Sequence, residues 1–415
     1  MNSIVKQRFY SLDVFRGATV ATMILVNNPG SWEHIYAPLD HAPWQGCTPT
    51  DLVFPFFLFA VGNALAFVLP RLEAEGNAAF LKKVIRRTLL IFGIGLFLNW
   101  FPFIKWSGGH LVFKNWVDPT DPEHPEAIAT GIRILGVLQR IALCYFFAAL
   151  IVRYARLRWA FVIGVMLLFG YWILCALLGN PSDPYSLHGF FGTAVDKAVL
   201  GVAHMYKGEG LAFDPEGLVS TLPAIVQVIF GYLVGNYILQ KGKTYEMVAG
   251  LFAIGCMLAV TGYCWDMVFP ISKKIWSSSF VVYTTGLAIL VLSVLLYFIE
   301  LRGAPAGQAA GGTAKDPSPA SGWLSRFFLV FGKNALFIFM VSGILPRLFS
   351  LCHIPDGVGV NGHTRYIGLT QWLYAHIFSP AFGAMNGSLF YAIFNIILLW
   401  SFCYLLDKKK IYIRV

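Results

Sequence analysis

The chain has 415 residues, of which 57% are hydrophobic, 16% aromatic and only 13% charged, and its net charge is +10. A soluble domain carries about a quarter of its residues as charges, so this composition excludes an ordinary water-soluble protein. The positive balance does not point to nucleic acid, because Lys and Arg sit in short clusters between apolar blocks, the arrangement of a membrane protein that obeys the positive-inside rule.

The apolar blocks are about 20 residues long, the length a helix needs to cross about 30 Å of hydrocarbon. In chain order the predicted spans are 11–29, 51–70, 88–106, 134–153, 158–178, 219–239, 246–265, 279–299, 325–348 and 387–406. This predicts an all-α, polytopic membrane protein of about ten transmembrane helices. With the N-terminus cytoplasmic, nineteen Lys and Arg fall on the cytoplasmic side and nine on the other. That asymmetry predicts both termini on the cytoplasmic side. No cleavable signal peptide is expected, since the first apolar run leads into polar residues without a small-residue cleavage site.

The predicted organisation is helices 1–8 over 1–299, with a catalytic outer loop at 30–50. A flexible cytoplasmic linker at 300–324, rich in Gly, Ala, Pro and Ser, leads to helices 9–10 and a basic tail over 325–415. The long outer loops, 30–50, 107–133, 179–218 and 349–386, mix His, Trp, Asp, Glu and Gly, the composition of binding and catalytic loops. The seven cysteines form no CxxC pair and read mostly as small buried hydrophobes; no metal site is expected.

Residues 8–63 hold the polar groups that are costly in a membrane helix. Asp13 and Arg16 share a face near the start of helix 1, either as an interfacial ion pair or with Arg16 placed for a phosphate. Asn27 and Asn28 precede a Pro-Gly break; they suit either a helix C-cap or an amide donor facing a cavity. His41 follows in a Pro- and Trp-rich loop, where it is a structural histidine or a base. Thr48-Pro49-Thr50-Asp51 is a helix N-terminus signal, which makes Asp51 first a cap. Further on, Arg140 lies inside a span, where an arginine must pair or face a cavity. Gly231 and Gly235 form a GxxxG packing motif.

The runs SLDVFRG, VNNPG and HAPWQGCTPTDLVFPFFLF resemble the start of the heparan-α-glucosaminide N-acetyltransferase family of transmembrane acetyltransferases. GVLQRIALCY, VDKAVLGVAHMYKG, FDPEGLVSTLPAI, KKIWSSSFVVYTTG and FGKNAL are similar to family blocks in the same order. The resemblance implies acetyl-CoA as donor, an amino sugar of the glucosamine type as acceptor, and a homodimer in the bacterial inner membrane. It implies that His41 acts on the acetyl group, supported by Asn27. The chemistry fits, since amine attack on a thioester needs a base near neutrality and a donor for the oxyanion. Asp51 joins them as a candidate catalytic residue. For the donor, which carries several phosphates, the candidates are Arg16, Asn28, Lys82, Arg86 and Arg140. For the acceptor they are Asp196, His204, Asp214, Glu216 and Trp276. Some relatives are named as N-acetylglucosamine-related transporters, so an amino-sugar carrier is the alternative; acetylation of a glycan hydroxyl is a third.

Overall fold

A chain in hydrocarbon must close its backbone hydrogen bonds within each spanning segment, which leaves the α-helix as the solution for isolated apolar runs. The computed structural model describes residues 8–107, 109–118, 130–302, 322–358 and 363–413. The first helices are α1 (Tyr10–Asn27), α2 (Val53–Ala74) and α3 (Asn77–Trp100), followed by a hairpin of β1 (Ile104–Ser107) and β2 (His110–Phe113). Next come α4 (Val137–Tyr154), α5 (Arg156–Leu178), α6 (Gly192–Leu200), α7 (Thr221–Lys241), α8 (Tyr245–Trp265) and α9 (Ser278–Leu296). The last third holds α10 (Trp323–Lys333), α11 (Ala335–Phe349), a hairpin of β3 (Ile354–Val358) and β4 (Thr364–Ile367), then α12 (Leu369–Leu373), α13 (Ser379–Phe382) and α14 (Ala384–Lys408). Both hairpins are antiparallel.

Every predicted span contains helix. Among the described residues, seven helices are long and apolar enough to cross a membrane, α2, α4, α5, α7, α8, α9 and α14; α10 and α11 together make an eighth, bent by 82°. The remaining two, α1 and α3, have 18 and 24 residues but are less apolar. α1 carries Asp13 and Arg16, and α3 carries Lys82, Lys83, Arg86 and Arg87.

Two predicted spans need correction. The block 88–106 starts earlier and stops at Trp100, because Pro102 pushes Phe101 into an extended conformation (φ −57°, ψ 139°) and the chain leaves into β1. The block 325–348 is broken at Asn334, whose backbone leaves the helix (φ −126°, ψ 33°). Its amide instead ties down the C-terminal segment: Nδ2 donates to the Ile411 carbonyl at 3.2 Å and Oδ1 accepts from the Ile413 N–H at 2.9 Å. Residues 303–321 of the predicted linker lie outside the described residues.

Close crossings hold the bundle together. α2 meets α7 where Gly62 faces the Val228 carbonyl and Gly231 faces the Phe59 carbonyl, so a Cβ at either position would overlap backbone. The Gly231–Gly235 motif is therefore a packing face, as small-xxx-small motifs usually are. α1 meets α10 in the same way, with Gly17 against the Phe328 carbonyl and Gly332 against the Asp13 carbonyl. α1 also packs on α2, α9 and α11, and α2 on α4 and α9.

Candidate active site

His41 is set by the start of α2. Thr48 caps a short 3₁₀ turn, Pro49–Leu52, that leads into α2, with Pro49 in its first turn. The Asp51 carboxylate, 1% exposed, splits its two oxygens between two tasks. Oδ2 accepts the Ala42 N–H at 3.0 Å and the Thr48 N–H at 3.1 Å, which closes the capping box. Oδ1 lies 2.7 Å from Nδ1 of His41. A carboxylate only accepts, so Nδ1 carries the proton and the lone pair of the neutral ring lies on Nε2. A His with its tautomer fixed by a buried carboxylate is the orientation unit of general-base and acyl-carrier sites.

A second loop closes on this pair from the far side of the sequence. Residues 266–277, between α8 and α9, are pinned to the His41 loop by the Gly46 N–H donating to the Ile271 carbonyl (2.7 Å) and the Ser272 hydroxyl donating to the Trp44 carbonyl (2.7 Å). Within it, the Ile271 N–H donates to Asp266 Oδ1 at 2.6 Å, and the Ser272 N–H to the Ser277 hydroxyl at 3.0 Å. A tight turn follows, with the Trp276 N–H donating to the Lys273 carbonyl at 3.2 Å and Trp276 at φ +51°. That left-handed conformation is uncommon for a bulky residue and is held here by packing on Phe54 and Phe280, at ring distances of 4.9 and 5.2 Å. The turn aims Lys273 at His41. Its Nζ is 3.1 Å from Nδ1, 3.3 Å from Nε2 and 3.5 Å from Asp51 Oδ1. Burial pushes the Lys273 ammonium below the ordinary lysine range, even though Asp51 and Glu216 pull the other way.

These groups border a cavity of about 280 Å³. Met23, Val26, Val53, Phe54, Val137 and Phe339 give it apolar walls; Asn27, His41, Glu216, Lys273 and Lys274 supply polar atoms. Asn27 is exposed to the cavity, and its amide makes no hydrogen bond among the described residues. On the opposite rim, Arg133 bonds Asp214 through Nε (3.1 Å) and Nη2 (2.6 Å), reaches Glu216, and lies 4.9 Å over the Tyr206 ring. Burial works against the charge of Arg133, but Glu216 and Asp214 more than offset it and hold the guanidinium above its ordinary range. Burial likewise works upward on Glu216, and Arg133 and Arg140 overcome it, keeping that carboxyl low.

The structure therefore brings His41, Asp51, Asn27, Glu216 and Trp276 to one place, with Asp214 behind Glu216. Other predicted site residues lie elsewhere. Asn28 is buried and its Nδ2 donates to the Ile24 carbonyl at 2.9 Å, the helix-end role, away from the cavity. Arg140 is fully buried behind Trp276, 5.1 Å over its ring, and donates to the Gly217 carbonyl (3.1 Å) and the Ser220 hydroxyl. Asp196 accepts the Leu218 N–H at 2.8 Å and so shapes the loop that carries Glu216. Its burial, partly offset by that bond, raises its pKa to about 6. His204 is spent on the Ile132 carbonyl, to which Nδ1 donates at 2.7 Å, and packs on Trp116. Arg16, Lys82 and Arg86 belong to the opposite end: Arg16 is about 16 Å from Asn27 along α1, at 1.5 Å per residue. There Arg16 pairs with Asp13 at 3.6 Å and donates to the Gly332 carbonyl at 3.4 Å, while Lys82 and Arg86 are exposed.

Sequence reasoning did not place Arg133 in the site and did not pair Lys273 with His41. Lys273 is 232 residues from His41, so no spacing could pair them. One signal existed: Lys273 and Lys274 are adjacent cations on the side that the charge bias leaves poor in cations.

The family model described as heparan-alpha-glucosaminide N-acetyltransferase, catalytic, matches residues 8–263. The chain belongs to that family. It is 26% identical over 354 residues to human heparan-alpha-glucosaminide N-acetyltransferase, which covers 72% of this chain and 50% of the human one. With the mouse protein of the same name it is 23% identical over 395 residues, covering 82% of this chain and 54% of that relative. The chain thus spans about half the length of the curated relatives it matches. The family match contains His41, Asp51, Asn27, Arg133 and Glu216, and ends before Lys273.

Proposed function

We propose that the protein is a transmembrane acetyltransferase that takes an acetyl group from acetyl-CoA, supplied on the cytoplasmic side, and passes it to a glucosamine-type amine on the opposite face of a bacterial inner membrane. The observation that carries this reading is the His41–Asp51 pair, whose imidazole borders a cavity. Membership of an N-acetyltransferase family supports it. In direct transfer, the amine nitrogen attacks the thioester carbon while His41 Nε2 takes its proton; the C–N bond forms, the C–S bond breaks, and the proton passes to the leaving thiolate. In the acetyl-carrier form, Nε2 attacks first and holds the acetyl group until the amine removes it. Both forms need Nδ1–H held by Asp51. A cavity of about 280 Å³ suits a thioester end and one sugar ring, with the nucleotide outside it.

The carrier alternative draws on the helix broken at Asn334, since interrupted helices mark binding sites in many transporters. A histidine–carboxylate pair can also relay protons in a carrier, so the acetyltransferase reading is preferred on the match to an N-acetyltransferase catalytic family, which contains both residues. The test is purified protein with radiolabelled acetyl-CoA and a panel of amino sugars. Labelled N-acetylated sugar is expected, and His41→Ala should lower its rate by at least about 10²–10⁴-fold. No product with any acceptor, or product that survives His41→Ala, would overturn the reading.

A further inference from the structure

We propose that Lys273 is a catalytic residue of this site, whose ammonium donates to the thioester carbonyl oxygen as that oxygen becomes negative. The proposal rests on the acetyltransferase reading and extends it to a residue beyond the matched catalytic segment.

Three observations carry it. First, Nζ is within 3.3 Å of both ring nitrogens of His41, so any carbonyl seated for transfer at Nε2 lies beside it. Second, the ammonium keeps a donor beyond those facing Asp51 Oδ1 and His41 Nε2. It is 3.5 Å from Asp51 Oδ1, longer than the roughly 2.7–2.9 Å of a committed charge-assisted bond. Nδ1 already gives its proton to Asp51 and cannot accept, which leaves the Nε2 lone pair, 3.3 Å away, as the ring's one acceptor for the ammonium. An ammonium has three donors, so at least one is free to point into the cavity that Lys273 lines. Third, the placement is built. Lys273 is mostly buried, at 21% exposure, and two hydrogen bonds between separate loops and a left-handed Trp276 hold it there. A lysine that served only as a counter-ion for Asp51 would not need to lie along the histidine ring.

The chemistry balances without moving the lysine proton. As the amine nitrogen bonds to the carbonyl carbon, the C=O π pair moves onto oxygen, where Lys273 and the free Asn27 amide donate to it. Collapse re-forms C=O and expels the CoA thiolate, which takes the proton held on His41 Nε2. Donors aimed at the developing oxyanion inside a desolvated site act mainly on the transition state.

The test uses purified full-length protein and the variants Lys273→Met, His41→Ala and the double variant. Lys273→Met should lower kcat by about 10²–10³-fold and leave the affinity for acetyl-CoA, measured by calorimetry, within a few-fold of wild type. The double variant should be slower than His41→Ala by about tenfold or more, because oxyanion stabilisation persists without the base. A Lys273→Met kcat within threefold of wild type would overturn the proposal, as would a loss confined to KM. A double variant no slower than His41→Ala would make Lys273 a positioning residue for His41 and equally overturn it. If Lys273→Met does not fold, Lys273→Gln removes the charge with a polar end and carries the same comparison. An inactive wild type would instead refute the acetyltransferase reading.

Discussion

Asp51→Asn is the sharpest perturbation, because the structure determines which way the amide must face. Oδ2 accepts two backbone N–H groups, from Ala42 and Thr48, so the amide oxygen must take that side. The NH₂ group then occupies the Oδ1 position, 2.7 Å from Nδ1 of His41. Two donors cannot face one another, so Nδ1 must give up its proton and accept, and the proton moves to Nε2. The cap survives; the base does not. Loss of the correct tautomer in a His–carboxylate pair costs about 10⁴ in kcat, or about 5.5 kcal/mol of transition-state stabilisation. Steady-state acetyl transfer is the assay, alongside thermal unfolding to show that the fold is retained. Asp51→Ala supplies the contrast: it leaves the ring free to choose its tautomer, so its kcat should exceed that of Asp51→Asn although it loses the cap. An Asp51→Asn enzyme with a tenth or more of wild-type kcat, or one faster than Asp51→Ala, would refute the tautomer argument.

Two further predictions concern the walls of the cavity. Asp196 has a folded pKa raised to about 6 against an ordinary 3.8, so its ionisation opposes folding: stability is fullest below about pH 4 and declines as pH rises through about 6. Asp196→Asn keeps an acceptor for the Leu218 N–H and removes the charge; it should match wild type near pH 4 and exceed it above pH 6 by up to about 3 kcal/mol, read as unfolding midpoint against pH. Arg133→Met strands a buried Asp214 and the neighbouring Glu216, and should destabilise by about 3–5 kcal/mol in denaturant or thermal unfolding. An Arg133→Met protein as stable as wild type would show that the two carboxylates are satisfied without it.

Much of the architecture was legible because hydrocarbon imposes length and apolarity on each span. The reading weakened where local chemistry interrupts a run. Pro102 ends α3 inside a block that stays aromatic through Trp106, and Asn334 breaks an apolar run because its amide is used by the C-terminal segment, which hydropathy cannot reveal. Within the site, His41 and Asp51 were each legible as candidates, but the bond between them joins a loop residue to a helix cap ten residues on and has no signature in the sequence. Asn28, Arg140, Asp196 and His204, whose side chains hydrogen-bond nearby backbone, share their composition with residues that line the cavity, and only their partners separate the two. Lys273 reaches the site through loop-to-loop hydrogen bonds, a long-range event with no local signature.

Sidedness brings topology and chemistry into a single measurement. Protein is reconstituted in sealed liposomes of one orientation, with labelled acetyl-CoA on the face that carries Lys82 and Arg86 and glucosamine on the face that carries His41. Labelled N-acetylglucosamine should accumulate on the His41 face, with CoA left on the donor face and no product from His41→Ala. Unmodified amino sugar crossing the bilayer, equally in wild type and His41→Ala and without acetylated product, would contradict an acetyltransferase and identify a carrier.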